Sequence, residues 1–145
     1  MKMPPNDVMV RRYHAGLGRV AGRMILLLTT IGRKSGNPHT VAVQYEKIDD
    51  KYFIGAANGQ KSDWYRNILV HSEVELEIGS QKMRGVAEPL LGEEKILDFM
   101  SYRLNKHPLM IGMILKMDGC SFKPNQDELR DYCRRITVVM ITPVS

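Results

Sequence analysis

The sequence predicts an antiparallel α+β domain whose sheet curls toward a barrel, and three features carry that expectation. Period-two segments are joined by two-residue turns at Asp49-Asp50 and Gly79-Ser80, a connection open only to antiparallel neighbours. Helical periodicity is concentrated in the last third of the chain. A β-branched segment, Ile136–Thr142, then returns at the end and adds a strand to a sheet already laid down. Curling such a sheet removes its exposed edges. No alternating βαβ units occur and no GxGxxG follows a strand, so a Rossmann dinucleotide site is not expected.

Taken in order, Asn6 or Asp7 caps a first helix in which Met9, Tyr13, Leu17 and Val20 recur at helical spacing, with Arg11, Arg12, Arg19 and Arg23 beside them. Gly16, Gly18 and Gly22 weaken it. Residues 1–23 thus form a basic arm that packs on the domain, covers a ligand or touches a membrane surface; the pattern leaves all three open. Met24–Thr30 is an apolar strand, Thr40–Ile48 alternates in period two, and the Asp49-Asp50 turn leads into Lys51–Ala57. Ser62 or Asp63 caps a short helix, Trp64–Val70. Glu73–Ile78 and Gln81–Glu88 follow as a hairpin, the first with Val74, Leu76 and Ile78 inward and its acids solvated. Glu93–Leu104 has helical apolar spacing behind an acidic first turn. The methionine-rich stretch His107–Met117 is core or the wall of an adaptable apolar pocket, and is too short to span a bilayer. Asn125–Arg134 is a polar helix, and Pro143 ends the last strand.

At 145 residues the chain is expected to form one domain, 1–145. Its net charge of +5 is unevenly placed: residues 1–39 hold seven Lys/Arg and one acid, the remainder fourteen against fifteen. Such a distribution suits a localised anionic ligand, or an acidic membrane surface met by the arm, more than a broad nucleic-acid face, and no nucleic-acid partner is expected. Two cysteines without a second pair, and four scattered histidines, signal neither a disulfide framework nor a metal site. Lacking an apolar leader, the chain is expected in the cytoplasm, with membrane association through the arm left open.

The most informative segment runs from Leu26 to His39. An apolar strand enters a glycine-bracketed loop carrying Arg33, Lys34, Ser35 and His39, which combines cations with accessible backbone N–H groups in the manner of a phosphate grip. It is not a Walker A loop, since Lys34-Ser35 precede Gly36 and an extended segment follows. A solvated hairpin loop with two cations would look the same from these residues alone. Further on, Gly55-Ala56-Ala57-Asn58-Gly59 is a run of small residues at a strand exit, where a flat group can approach the backbone or the chain can simply bend.

Three segments, Thr30-Ile31-Gly32-Arg33-Lys34-Ser35-Gly36-Asn37-Pro38, Ala56-Ala57-Asn58-Gly59-Gln60 and Ser62-Asp63-Trp64-Tyr65-Arg66-Asn67-Ile68, stand in an order and spacing that resemble the deazaflavin-dependent nitroreductase family of split β-barrel flavin and deazaflavin oxidoreductases. The resemblance covers roughly residues 24–90 and the last strand. It implies an α+β antiparallel split β-barrel, FMN-binding-like, with short helices packed around it. It also implies coenzyme F420, with FMN as the alternative cofactor. By position, Lys34 and Ser35 would meet the phosphate and tail, with Arg33, Asn37 and His39 beside them. Val41 and Val43 would line the ring pocket, Ala56, Ala57 and Asn58 would bring backbone groups to the ring's polar edge, and Trp64 and Asn67 would build the wall beneath. His39 stands where relatives often carry Arg, a weaker and pH-dependent cation, and Ala57 replaces a usual Ser.

The activity so implied is hydride transfer between F420 and a small hydrophobic electron acceptor: a quinone, an enone or a nitroaromatic. His107–Met117 is the expected wall opposite the ring. No acid–base constellation stands out, so no catalytic residue is assigned; Tyr45 and Tyr102 read first as packing residues. A non-catalytic protein holding a lipid in an apolar pocket is the alternative from another class, and a homodimer is left open.

Overall fold

The computed structural model describes residues 6–18, 24–56 and 61–144. Seven strands form a single antiparallel sheet: β1 (Ile25–Ile31), β2 (Pro38–Gln44), β3 (Glu46–Ile48), β4 (Lys51–Ala56), β5 (Glu73–Ile78), β6 (Gln81–Pro89) and β7 (Thr137–Val144). Their spatial order is β2-β1-β5-β6-β7-β4-β3. The two edge strands, β2 and β3, are separated in sequence by Tyr45 alone. One residue therefore carries the chain from one edge of the sheet to the other, which requires the sheet to curl almost closed around a split at that point. The expected single strand Thr40–Ile48 is in fact these two edges.

Strand pairing explains much of the rest. Asp49 and Asp50 both adopt left-handed backbone, at φ 51° and 64°, the conformation a two-residue type I′ hairpin needs to match strand twist. β7 continues through Pro143, which pairs with Gly85, instead of stopping there. Proline is tolerated at this position because it lies near the strand's end, where few ladder bonds remain to be lost.

Side chains inside the curl form the main core. Leu26, Leu28, Ile54, Leu76, Val139 and Ile141 are buried together, with Val41 and Val43 packed against them. Helix α2 (Asp63–Val70) closes one end by inserting Tyr65 and Ile68. Outside the sheet, α3 (Glu93–Lys106), α4 (Pro108–Met117) and α5 (Gln126–Arg135) share a second core with Val138 and Phe53. Helix α5 opens with a reciprocal capping box between Asn125 and Glu128.

Helix α1 (Asn6–Arg12) packs Met9 on Leu27 and Ala42, a third, smaller core on the outer face of β1 and β2. Packing on the domain is therefore what the described part of the arm does. The expected continuous helix gives way to a wider turn over Tyr13–Leu17, where Gly16 takes φ 125°, a conformation that L side chains rarely adopt. Tyr13 pins this turn: its hydroxyl lies 3.1 Å from the Ile25 carbonyl and 3.2 Å from that of Glu77, and accepts the Gly79 amide at 2.8 Å. Val20 lies outside the described residues. Among the described residues no helix is long and apolar enough to cross a membrane.

Candidate functional site

The loop between β1 and β2 is held from within and from beneath. The Gly32 amide donates to the Asn37 carbonyl and the Gly36 amide to the Gly32 carbonyl, both at 2.8 Å. Ser35 Oγ accepts the Asn37 amide at 3.1 Å and meets His39 Nε2 at 3.3 Å. Gly32 is required by space: a Cβ there would stand 2.6 Å from Ser35 Oγ and 2.7 Å from His39 Nε2. Gly36, at φ 73°, makes the reversal.

Asn67 is the element that fixes this loop to the barrel. It is 4% exposed, on the inner face of α2. Its Nδ2 donates to Thr30 Oγ1 at 3.1 Å, while its Oδ1 accepts both the Arg33 amide, at 3.1 Å, and Arg33 Nη1, at 2.9 Å. Arg33 Nη2 pairs with Asp63 at 3.2 Å. Arg33, expected beside a ligand phosphate, is thus engaged on the protein side, with its charge already opposed by Asp63. It braces the loop.

Lys34, Ser35 and His39 are left exposed on the outer side. Among the described residues, the amides of Lys34 and Ser35 take no part in the loop's internal hydrogen bonds. These groups border a cavity of about 730 Å³, which extends to Thr30, Thr40, Val41, Trp64 and Asn67 and is reached by Asn6 of α1. Its lining combines two cations, hydroxyls and an indole, a donor set suited to a ligand with an anionic end and a flat aromatic body.

The expected site residues divide accordingly. Arg33, Lys34, Ser35, His39, Val41, Trp64 and Asn67 meet at the cavity; Asn37 contributes its backbone to the loop. Val43 does not line it. The register sets Val43 opposite Leu26, two residues further into the barrel than Val41 opposite Leu28, so Val43 packs in the core. Ala56 is buried at the end of β4, paired with Thr137, and Ala57 and Asn58 lie outside the described residues. The apolar segment His107–Met117 is not at this cavity: α4 packs with α3 and α5 on the sheet's other face. Thr30 and Asp63 were missed. Thr30 ends an apolar run where one polar residue looks like surface, yet it is 1% exposed; only its pairing to Asn67 across 37 positions shows why it is polar.

Tyr45 lies at the split with its ring 5.8 Å from Tyr52, and burial is the main reason its hydroxyl titrates above the ordinary tyrosine range. Tyr102 is exposed, with the Lys106 ammonium 5.6 Å from its ring centre. Neither borders the cavity.

Comparison with known proteins bears on this arrangement directly. A family model described as F420H(2)-dependent quinone reductase matches residues 3–107. The chain belongs to the F420H(2)-dependent quinone reductases. It is 30% identical over 86 residues to an F420H(2)-dependent quinone reductase of Mycobacterium tuberculosis, a match covering 54% of this chain and 58% of that relative. Under two thirds of the relative's length is therefore represented. Among solved structures, an F420-H2 dependent reductase superposes with a TM-score of 0.56 at 23% identity, over 82% of this chain and 94% of that one. A haem storage protein of Vibrio cholerae superposes at 0.60 with 12% identity, over 98% and 92%. At such identities these two establish the shared split-barrel fold alone.

Family membership implies coenzyme F420, and the cavity's donor set fits it. The cofactor's phosphate and carboxylates call for outward cations and N–H groups, which Lys34, His39 and the Lys34-Ser35 backbone provide; its flat ring calls for the apolar and aromatic surface of Val41 and Trp64.

Proposed function

We propose that this quinone reductase family member binds reduced F420 at the β1–β2 loop and reduces a hydrophobic electron-poor acceptor, a quinone first among them. The observation that carries the reading is the division of labour in Arg33-Lys34. Asn67 and Asp63 hold Arg33 inward as a brace, and this leaves Lys34 outward beside Ser35 and His39 at the cavity. A loop serving only solubility has no need of a buried side-chain amide that makes three hydrogen bonds to Thr30 and Arg33.

When bound, the deazaflavin supplies a hydride equivalent; the protein contributes no redox group of its own. The chain's part is binding and placement. Lys34 and Ser35 hold the anionic end, Trp64 and Val41 give the ring an apolar bed, and Thr30 and Thr40 line the barrel side of the cavity. Ala56 and the small residues that follow are proposed as the approach to the ring's polar edge.

Titration with F420, with its tailless precursor and with FMN tests the reading. F420 should bind most tightly, and its advantage over the precursor should shrink with added salt, because the oligoglutamate tail is held by screened charges. Equal affinity for F420 and FMN would show a site built for a lone phosphate. No binding of either would leave a lipid or other apolar ligand as the occupant.

A further inference from the structure

We infer that a second cavity, at the seam between the barrel core and the helix layer, binds a neutral aromatic alcohol of about two rings, a phenol or hydroquinone. The space measures about 280 Å³ and shares no lining residue with the cavity at the β1–β2 loop. Tyr65 reaches it from the barrel core, Ile96, Ile136 and Val138 from the second core, and Leu90 and Leu91 from the segment joining β6 to α3. Two buried oxygens on this lining, Thr137 Oγ1 and Glu93 Oε1, have no hydrogen-bond partner among the described residues. Buried polar atoms are ordinarily paired. Thr137 heads the inward series of β7 that continues through Val139 and Ile141, both fully buried in the barrel, so its hydroxyl interrupts an otherwise apolar wall. Arg134 Nε lies 2.6 Å from Glu93 Oε1, close enough to oppose its charge but not directed along a hydrogen bond.

Each property of the lining fixes one property of the occupant. The two charged groups, Glu93 and Arg134, cancel, so an anion would face the carboxylate and a cation the guanidinium; a neutral molecule meets neither cost. An ionised carboxylate only accepts, so what Glu93 Oε1 lacks is a donor, while the Thr137 hydroxyl can take either role. The remaining wall is aliphatic apart from the Tyr65 ring. A phenolic O–H, more acidic than an aliphatic one, gives the stronger bond to a carboxylate, and its ring packs on the same apolar surface. A cavity of about 150 Å³ takes a benzene, so this one has room for two fused rings. A quinone, carrying acceptors alone, leaves Glu93 Oε1 without its donor. The hydroquinone released by the proposed reaction falls in the favoured class; the lining calls for a donor whether or not that reaction occurs.

Equilibrium dialysis of the full chain against 1-naphthol and 1-methoxynaphthalene tests this. Wild-type protein should bind 1-naphthol, and should bind the ether, similar in shape but with no donor, about tenfold more weakly. Thr137→Val should bind 1-naphthol about fivefold more weakly, yet its urea midpoint should stay level or rise, because the hydroxyl it deletes has no partner in the fold. Thr137→Ser, which keeps the hydroxyl, should stay within about twofold of wild type. Failure of 1-naphthol to bind would overturn the assignment and leave water as the occupant. Equal affinity for the ether would show that the unpaired oxygens play no part. Wild-type affinity in Thr137→Val, or an equal loss in Thr137→Ser, would place the naphthol elsewhere, and a lowered midpoint in Thr137→Val would show that the hydroxyl already serves the fold.

Discussion

Replacing Asn67 with Ala tests the loop's anchorage most sharply. The substitution removes three hydrogen bonds: Nδ2 to Thr30 Oγ1, and Oδ1 from the Arg33 amide and guanidinium. The two neutral bonds are worth about 1 kcal/mol each and the charged one about 1.5 kcal/mol or more. Arg33 remains partly hydrated, which offsets a share of this, whereas the Thr30 hydroxyl is left buried. A loss of about 2–4 kcal/mol follows, read as a lower urea midpoint with unchanged slope. F420 affinity should fall as well, because Lys34 and Ser35 lose their fixed position. Asn67→Asp, which keeps an acceptor for Arg33 and loses the donor to Thr30, should recover part of both. A double cycle of N67A with R33A should show coupling of about 1 kcal/mol or more, since the two residues share bonds. Additive effects with affinity unchanged would refute the anchorage.

Lys34→Ala should weaken F420 binding by about 1–3 kcal/mol, the range for losing a charge-assisted bond, with the thermal midpoint hardly moved because Lys34 is exposed; ring fluorescence titration reads it. Glu46→Gln should destabilise by about 3 kcal/mol in urea, since Arg103 would then be buried without its carboxylate, now 3.3 Å away. Burial pushes the Cys133 thiol up to about 11, so at pH 8 it should resist a thiol reagent in the native protein and react only in denaturant. Ser121 and the Asn125 amide hold the Glu128 carboxyl below its ordinary range. That contribution is complete above the unfolded value, near about 4.3, and is lost as pH falls through the lower folded value. Ser121→Ala should therefore be less stable than wild type at neutral pH, and the gap should close in acid.

How far the sequence could be read depends on how local each determinant is. The Asp49-Asp50 turn is written in two adjacent residues and is found as expected; the polar helix expected over Asn125–Arg134 is found one residue later, with Asn125 serving as its cap. The split at Tyr45 was hidden because an aromatic residue keeps the alternation running, while the change of sheet edge is set by how far the whole sheet curls. The motif residues around Arg33 and Asn67 were legible as a group, but their roles were not. That Arg33 faces inward depends on α2 lying against the loop from 34 positions away. Likewise, the apolar content of His107–Met117 announced burial without showing that only one face of the helix is covered, or that the layer it joins lies away from the cavity.

A single-turnover measurement tests the central claim most directly. Protein loaded with reduced F420 is mixed with menadione, and the return of oxidised-deazaflavin absorbance is followed against the same mixture without protein. The proposed function predicts a faster return with wild-type protein, and a rate that falls in Lys34→Ala at subsaturating cofactor but recovers when cofactor is raised, because in that proposal Lys34 binds the anionic end without touching the reacting atoms. Tight binding of the reduced cofactor with oxidation no faster than in buffer, across quinones, enones and nitroaromatics, would contradict it.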